Sequence, residues 1–296
     1  MIVFMDTAAT VLLLVMGLVM GSFAGAQVWR LRARQLQSDK KTGEPYDKQE
    51  YDQLKSLMGR KQSQDRSQCL SCGQVLRAVD LVPLFSWASS GGRCRYCGHR
   101  IGLFEPIMEI VTAVLFASSY WLWPFGFATP SAVVLFVLWL LIVVVLVMLA
   151  AYDIKWQLLP DVLNFGFMAL ALVFVAIRFI MDPSLNILSV LGAVGMLAGV
   201  YGFIYIISRG AWIGLGDVKL GVGLGLLLGD WSLAFFALFL ANLIGCIIVI
   251  PAVVTRKLGG GSRIAFGPLL VVGTMIAFWW GSSMLEWFFK QTLFLA

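Results

Sequence analysis

Four of the five cysteines fall in two short pairs whose spacing predicts a metal site. The pairs are Cys69 with Cys72 and Cys94 with Cys97, and 21 residues lie between them. Two such pairs place four thiolates around one tetrahedral ion, which is the usual arrangement for structural Zn²⁺. Four cysteine ligands leave no open position for water, so we expect this site to brace the fold and not to catalyse. Two disulfides would need an oxidising compartment, whereas the charge distribution described below places the segment in the cytosol.

Outside the cysteine site, the candidate catalytic side chains are carboxylates. The single histidine, His99, follows the second cysteine pair, so the sequence does not support a Ser-His-Asp triad or a Cys-His pair. Six acidic residues remain after position 110, and three of them lie at the predicted inner ends of membrane spans. These three are Asp153, Asp161 and Asp217. An ionisable side chain at such a place is costly, which makes each of them a functional candidate.

The spacing of two of these aspartates predicts that they share one membrane face. Asp217 follows Asp153 by 64 residues, the length of one out-and-back helical hairpin. Gly214 and Gly216 stand next to Asp217, and residues without a side chain let another backbone come close. Two adjacent carboxylates share a proton, so one acts as a base on water while the other donates to a carbonyl oxygen. This is the chemistry of aspartic proteases.

A purely structural interpretation of the same residues stays open. Asp161 follows Pro160, a favoured start of a helix, and Asp153 lies close to a helix end. In this interpretation both aspartates cap helices, and Asp217 forms an ion pair with Lys219. The physical chemistry of the residues does not decide between the two interpretations.

The elements that position these residues are predicted to be membrane helices. Hydrophobic residues make up 60% of the chain and charged residues 13%, against about 45–50% and about 25% in soluble proteins. Eight apolar stretches approach the roughly 20 residues that cross a bilayer. They are 8–28, 106–125, 131–152, 162–181, 185–208, 211–229, 231–254 and 265–289. The sixth stretch is rich in glycine, and a short or re-entrant helix that does not cross the bilayer is the alternative there.

The predicted fold is therefore an all-α polytopic membrane protein with about eight transmembrane helices and a small cytosolic zinc-knuckle domain between helices 1 and 2. Residues 30–105 hold 14 of the 22 lysines and arginines, and placing them in the cytosol leaves only Arg178 and Lys290 outside. This distribution follows the positive-inside rule and puts both termini outside. We expect a transmembrane anchor over 1–29, a cytosolic zinc-binding domain over 30–105 and a membrane-embedded domain over 106–296.

The net charge of +6 belongs to this orientation. We therefore expect the lipid bilayer as a partner and no nucleic acid. A polar insert, residues 36–66, lengthens the cytosolic domain before the first cysteine pair. It predicts a short solvated helix between Tyr46 and Met58 with disordered flanks.

Several motifs follow one another along almost the whole chain. Besides the two cysteine pairs they are Gly21-Ser22-Phe23, Val82 to Trp87, Glu105 to Glu109, Asp153 to Asp161, Gly214 to Lys219 and Phe266-Gly267-Pro268. In this order the chain resembles the type IV prepilin peptidases, also called leader peptidases, which are GxGD aspartic proteases.

The resemblance implies a membrane aspartic endopeptidase that removes the leader peptide from type IV pilin-like precursors at the cytosolic membrane face. It implies Asp153 and Asp217 as the catalytic pair and makes 106–296 the peptidase domain. The supporting residues that we expect are Asp161, Gly214, Gly216 and Lys219. The expected substrates carry a basic leader and a hydrophobic N-terminal helix, and the expected location is the bacterial inner membrane.

Many members of this family also methylate the new N-terminus with S-adenosylmethionine, using the cytosolic segment. The resemblance therefore adds S-adenosylmethionine to Zn²⁺ as an expected cofactor if this second activity is present. Gly25 stands where the family usually has an asparagine, so the sequence leaves methyl transfer open.

Two other classes of membrane protein compete with this interpretation. A presenilin-like intramembrane protease would use a Tyr-Asp motif, which Tyr152-Asp153 matches, but that group lacks the cysteine pairs. A proton-coupled transporter would place acids deep in several spans and show internal repeats. The acids of this chain lie near the ends of the predicted spans, which favours the peptidase.

Overall fold

The computed structural model describes residues 2–58, 66–255 and 265–293, and its regular structure in these ranges is helical apart from two isolated β-bridges. The α-helices are α1 (Ile2–Thr42), α2 (Lys48–Leu54), α3 (Phe85–Ser89), α4 (Phe104–Trp121), α5 (Pro130–Trp156), α6 (Asp161–Met181), α7 (Ile187–Val194), α8 (Val200–Ser208), α9 (Leu215–Leu228), α10 (Trp231–Val254) and α11 (Gly267–Leu293). This confirms the predicted all-α fold. The chain forms two compact units that divide between Trp121 and Leu122, and the domain boundaries expected after residues 29 and 105 stay a prediction.

In the first unit, α1 and α4 pack with their backbones in direct contact. Glycines occur at every fourth position of α1, at residues 17, 21 and 25. A methyl group added at Gly17 would lie 2.5 Å from the Cα of Ala113, and one added at Gly21 would lie 2.6 Å from the Cα of Glu109. Small residues at this spacing are typical of close helix pairs in membranes. The two helices are therefore held in a fixed register along their length.

The helix α1 continues far beyond its predicted span. Its 41 residues correspond to about 60 Å, twice the thickness of a bilayer core. On its last turns, Ala33 and Leu36 are fully buried against Leu54 of α2. An ion pair between Arg32 and Glu50 joins the same two helices.

The prediction for the insert 36–66 was partly wrong. A helix does form between Tyr46 and Met58, but it packs on α1 through Leu54 and is not solvated on all sides. The residues up to Thr42 are helical and not disordered, because Leu36, the apolar residue of this stretch, is buried under α2. Residues 59–65 of the insert lie outside the described residues.

Among the described residues, six helices are long and apolar enough to span a membrane. They are α1, α5, α6, the continuous run from α7 to α8, α10 and α11. The other two predicted spans correspond to α4, with 18 residues, and α9, with 14. At about 21 Å, α9 is shorter than a bilayer core, as considered for the sixth span. The total of eight crossings stays a prediction.

In the second unit, α9 packs against α6, α7, α8, α10 and α11. Its glycines make this possible, because a methyl group at Gly223 would collide with the ring of Phe167 in α6. One added at Gly225 would lie 2.6 Å from the Cα of Val194 in α7. The thin helix therefore runs between its neighbours and presents its first turn at one end of the unit.

Contacts at both ends show that α6 and α9 run parallel. Near their first turns, Lys219 of α9 pairs with Asp161 of α6. At the other end, Nη1 of Arg178 donates a 2.9 Å hydrogen bond to the carbonyl oxygen of Leu228, the last residue of α9. Arg178 thereby satisfies a carbonyl that has no partner within its own helix.

Candidate active site

Asp153 is held by the first amide of another helix. It lies in the last turn of α5 and only 5% of its surface is exposed. Its Oδ2 accepts a 2.9 Å hydrogen bond from the N–H of Gly267, the first residue of α11. The first N–H groups of a helix have no partner within the helix, so a carboxylate satisfies them well. The orientation of Asp153 is therefore set by a group distant in sequence.

Asp217 is held in a similar way, within its own helix. It is the third residue of α9, and its Oδ2 accepts a 3.2 Å hydrogen bond from the N–H of Gly214, the N-cap. An acid at this position that reaches back to the N-cap amide is half of a capping box. The start of α9 and the orientation of Asp217 are thus fixed together.

The structure brings the two aspartates together at one end of the second unit. Their carboxylates lie close enough to interact electrostatically. Leu159, in the turn after α5, packs against a glycine beside each aspartate. A methyl group at Gly216 would lie 2.8 Å from the Cβ of Leu159, and one at Gly267 would lie 3.6 Å from its Cδ2. The N-termini of α9 and α11 therefore meet at the turn that follows Asp153.

The expected supporting residues lie around the start of α9. Nζ of Lys219 is 2.6 Å from Oδ1 of Asp161, so the alternative pairing of Lys219 with Asp217 was wrong. Asp161 does begin α6 directly after Pro160, as its sequence context indicated. The two residues join the first turns of α6 and α9, since each lies within five residues of its helix start.

Two groups near the aspartates were missed at the level of sequence. One is the amide of Gly267: the motif Phe266-Gly267-Pro268 marked the residue, but no pattern reveals the role of a main-chain donor. The other is Asn164, which is fully buried and whose Nδ2 donates a 3.3 Å hydrogen bond to the carbonyl oxygen of Gly216. A polar side chain four residues into an apolar span was the signal for Asn164.

The four paired cysteines converge in the first unit. Their sulfur atoms all lie within 4.8 Å of one another, and the Sγ atoms of Cys69 and Cys97 are 3.9 Å apart. A tetrahedral Zn²⁺ with bonds of about 2.3 Å sets its sulfurs about 3.8 Å apart, so the cluster fits the ion.

The two cysteine pairs adopt the same knuckle. Gly73 and Gly98 have φ angles of +69° and +70°, which favour glycine. Each donates a 2.9 Å hydrogen bond to the carbonyl oxygen of the first cysteine of its pair. Burial raises the pKa of the Cys94 thiol, but hydrogen bonds from the amides of Cys97 and Tyr96 and from the side chains of Cys69 and Cys97 together lower it to about 7. Amides that point at sulfur therefore favour the thiolate that a metal needs.

A buried acid connects the cysteine segment to the helix pair. Glu109 of α4 is 5% exposed, and its Oε2 accepts a 2.8 Å hydrogen bond from the N–H of Leu84, which lies between the two knuckles. Glu105, one turn earlier, accepts a 3.0 Å hydrogen bond from Nε1 of Trp29 in α1. Both acids belong to the quoted Glu105 to Glu109 motif, and they link the segment between the knuckles and α1 to the start of α4.

Two family models match separate parts of the chain. Residues 15–123 match the bacterial peptidase A24 N-terminal domain, and residues 139–250 match the type IV leader peptidase family. No solved structure matches the chain.

Similar proteins from several bacteria carry related names. The chain is 30% identical over 233 residues to the prepilin leader peptidase/N-methyltransferase of Bacillus subtilis (77% of this chain, 87% of that protein). It is 33% identical over 221 residues to the protein of the same name from Pseudomonas aeruginosa (74% and 72%). It is 32% identical over 276 residues to the type 4 prepilin-like proteins leader peptide-processing enzyme of Escherichia coli (90% and 92%).

Proposed function

The chain belongs to the type IV leader peptidase family, and we propose that it is the aspartic endopeptidase that removes the leader peptide from type IV prepilin-like precursors. It is a multi-pass protein of the inner membrane. One observation carries the chemistry of the proposal: Asp153 and Asp217 come from different helices, lie within electrostatic reach, and are each held by the N–H of a glycine at a helix start.

The reaction follows from two carboxylates that share one proton. The unprotonated carboxylate takes a proton from a water molecule as the water oxygen adds to the carbonyl carbon of the scissile peptide bond. The protonated carboxyl donates to the carbonyl oxygen. When the C–N bond breaks, the carboxyl that took the proton of the water gives it to the leaving amine, which becomes the N-terminus of the mature pilin. The hydroxyl formed from the carbonyl oxygen returns its proton to the other carboxylate. The amides of Gly267 and Gly214 keep the two carboxyl groups in place through these steps.

The proposed orientation puts the dyad at the cytosolic end of the bundle. Residues 30–105 with the cysteine cluster then lie on the cytosolic side, and both termini lie outside. The positive-inside distribution supports this orientation. The substrate would present its basic leader to the cytosol, while its hydrophobic helix stays in the bilayer beside the second unit. Cleavage between leader and helix therefore falls at the depth of the helix starts that carry the dyad.

The cysteine cluster is proposed to hold one structural Zn²⁺ through Cys69, Cys72, Cys94 and Cys97. With all four positions taken, the ion supplies cross-linking of the two knuckles and no reactive site. The link from Leu84 to Glu109 would carry this rigidity to the first turns of α4.

N-methylation of the new N-terminus is a second proposed activity, with S-adenosylmethionine as donor. The names of the relatives from B. subtilis and P. aeruginosa include it. Gly25, the departure from the family pattern, faces Met108 of α4, with 3.8 Å from an added methyl group to the Met108 side chain. Mass spectrometry of the mature pilin N-terminus tests this activity, since methylation adds the mass of one methylene group.

The peptidase is tested by co-expressing a prepilin reporter with the wild type and with Asp153→Asn and Asp217→Asn, and by following leader loss on a gel. Asp182→Asn is the matched control, because Asp182 is exposed at the end of α6 and caps a local turn through Ser184. We expect both dyad variants to lose cleavage and the control to retain it. Retained cleavage in either dyad variant, at equal protein level, would contradict the assignment.

A further inference from the structure

A third polar group lies beside the dyad without a partner of its own. Tyr201 of α8 is 3% exposed, and in the part of the chain that the structure describes its hydroxyl has no hydrogen bond. A buried hydroxyl without a partner costs free energy, and such groups in native proteins call for an explanation. A partner that arrives with the substrate would provide one.

The position of Tyr201 is fixed from two sides. The phenol is within electrostatic reach of Asp217, and the neighbouring Gly202 faces Val218, with 3.7 Å from an added methyl group to its side chain. On the other side, the ring packs against Phe266 with 5.4 Å between ring centroids. Phe266 directly precedes Gly267, whose amide holds Asp153. Tyr201 therefore lies between the supports of the two aspartates.

The nearby Asn242 does not satisfy the phenol. Its side chain comes close to Tyr201, but its Nδ2 donates a 2.8 Å hydrogen bond to the carbonyl oxygen of Leu238 in its own helix. No hydrogen bond of ordinary geometry joins the two side chains. The hydroxyl is thus left free to donate.

The backbone before Tyr201 contains an irregularity that sets its direction. Residues Gly195–Gly199 form a π-helical turn between α7 and α8, and this turn packs on α9. A methyl group at Gly221 of α9 would lie 3.0 Å from the carbonyl carbon of Leu197. A π-turn adds one residue to a helix, which rotates everything after it by about 100°. Tyr201 follows the turn by two residues, so the direction of its side chain depends on this added residue.

We propose that Tyr201 is a catalytic residue that donates a hydrogen bond to the carbonyl oxygen of the scissile peptide bond. This inference rests on the proposed peptidase function. As water adds to the carbonyl carbon, negative charge develops on that oxygen; the phenol stabilises it beside the protonated aspartate, which transfers its proton to the oxygen while the phenol keeps its own. The proton of the attacking water goes to the unprotonated aspartate. A donor aimed in advance at developing charge is the usual device for such a step.

The test is Tyr201→Phe, which removes only the hydroxyl, with Tyr205→Phe one helical turn later as the matched control. Cleavage of a prepilin peptide by the purified full-length protein gives kcat and KM. We expect kcat to fall about 100-fold for Tyr201→Phe with KM little changed, since the bond forms in the transition state. Tyr205→Phe is expected to behave as the wild type.

A second measurement separates catalysis from folding. Thermal unfolding of the purified proteins in detergent, measured beside kcat, shows whether Tyr201→Phe stays folded. We expect the unfolding temperature of Tyr201→Phe to match that of Tyr205→Phe, while only Tyr201→Phe loses kcat.

Wild-type kcat for Tyr201→Phe, or an equal fall in kcat for Tyr205→Phe, would overturn the role of the phenol. A fall in kcat matched by an equal loss of folded protein would also overturn it. If Tyr201→Phe cleaves normally while Asp217→Asn does not, the inference fails and the proposed peptidase function stands. If Asp217→Asn also cleaves normally, the proposed function fails as well.

Discussion

The amide of Gly267 offers the sharpest test of how Asp153 is held. In Gly267→Ala the new methyl group would lie 2.8 Å from Oδ2 of Asp153 and 3.4 Å from its Cγ. The oxygen must withdraw by about 0.6 Å to reach an ordinary contact of about 3.4 Å. The 2.9 Å hydrogen bond from the Gly267 amide is then broken or badly strained. The side chain of Asp153 loses the group that fixes its direction.

The size of the effect follows from the type of bond. A hydrogen bond to a charged group contributes about 1.5–3 kcal/mol, which converts to about a 10- to 150-fold loss of kcat. The fold itself should tolerate the change, because a loss of this size is smaller than the roughly 5–15 kcal/mol by which a typical domain is stable. We therefore expect a protein that is present at normal level in the membrane but cleaves slowly.

The assay is cleavage of a prepilin peptide by the full-length protein, with kcat and KM measured beside thermal stability. Gly166→Ala in α6 is the matched control, since a methyl group there meets nothing within 4 Å. A wild-type kcat for Gly267→Ala would refute the idea that this amide positions Asp153. So would an equal fall in kcat for both variants, because the effect would then belong to glycine replacement in general.

Further predictions concern the other supports of the site. Gly214 has φ −79°, which suits proline, so Gly214→Pro removes the amide that holds Asp217 while keeping the backbone direction. We expect kcat of Gly214→Pro to fall at least about 10-fold. Gly214→Ala keeps the amide, and its methyl group would lie 3.5 Å from Oδ2 of Asp217, so this variant should cleave nearly as the wild type. Equal rates for the two variants would contradict the role of the amide. Gly225→Ala should lower the free energy of unfolding by about 1–3 kcal/mol, measured by thermal unfolding in detergent, because the methyl group would meet the backbone of Val194; unchanged stability would show that α9 shifts freely. Removing metal with a chelator, or Cys94→Ser, should expose the segment between the knuckles to protease. Metal analysis should find about one Zn²⁺ per chain released. A chain purified without zinc that resists protease as well as the zinc-bound chain does would refute a bracing role.

The candidate site was partly accessible from the sequence because its side chains are chemically conspicuous. Asp153 and Asp217 stand out in a chain that has few acids in its apolar half, and the cysteine pairs stand out by spacing. The ion-pair partner of Lys219 could not be predicted from the sequence, since Asp161 and Asp217 both lie at the same predicted membrane face as Lys219. Only the parallel packing of α6 on α9 selects Asp161.

The positions of the membrane helices could be predicted, because hydropathy determines them. Helix lengths and irregularities that depend on tertiary packing could not be predicted. The apolar runs gave the positions of the membrane helices. The length of α1 was not evident, because its last turns look polar and become helical through the burial of Leu36 under Leu54. The π-turn at Gly195–Gly199 was hidden as well, since nothing in a run of small and apolar residues reveals an added residue in a helix.

Several carboxylates of this protein are held by main-chain N–H groups, which every residue except proline provides, and three of these bonds lie in the sites described above. Gly267 serves Asp153, Gly214 serves Asp217, and Leu84 serves Glu109. An alanine scan is therefore blind to the bond at Leu84, where the amide survives any side-chain truncation. The φ of +56° at Leu84 even favours glycine over the leucine that is present. Replacing the amide at one of these positions by an ester removes its N–H and would measure what the hydrogen bond to the carboxylate contributes. Side-chain mutagenesis would show such a position only as one that tolerates substitution.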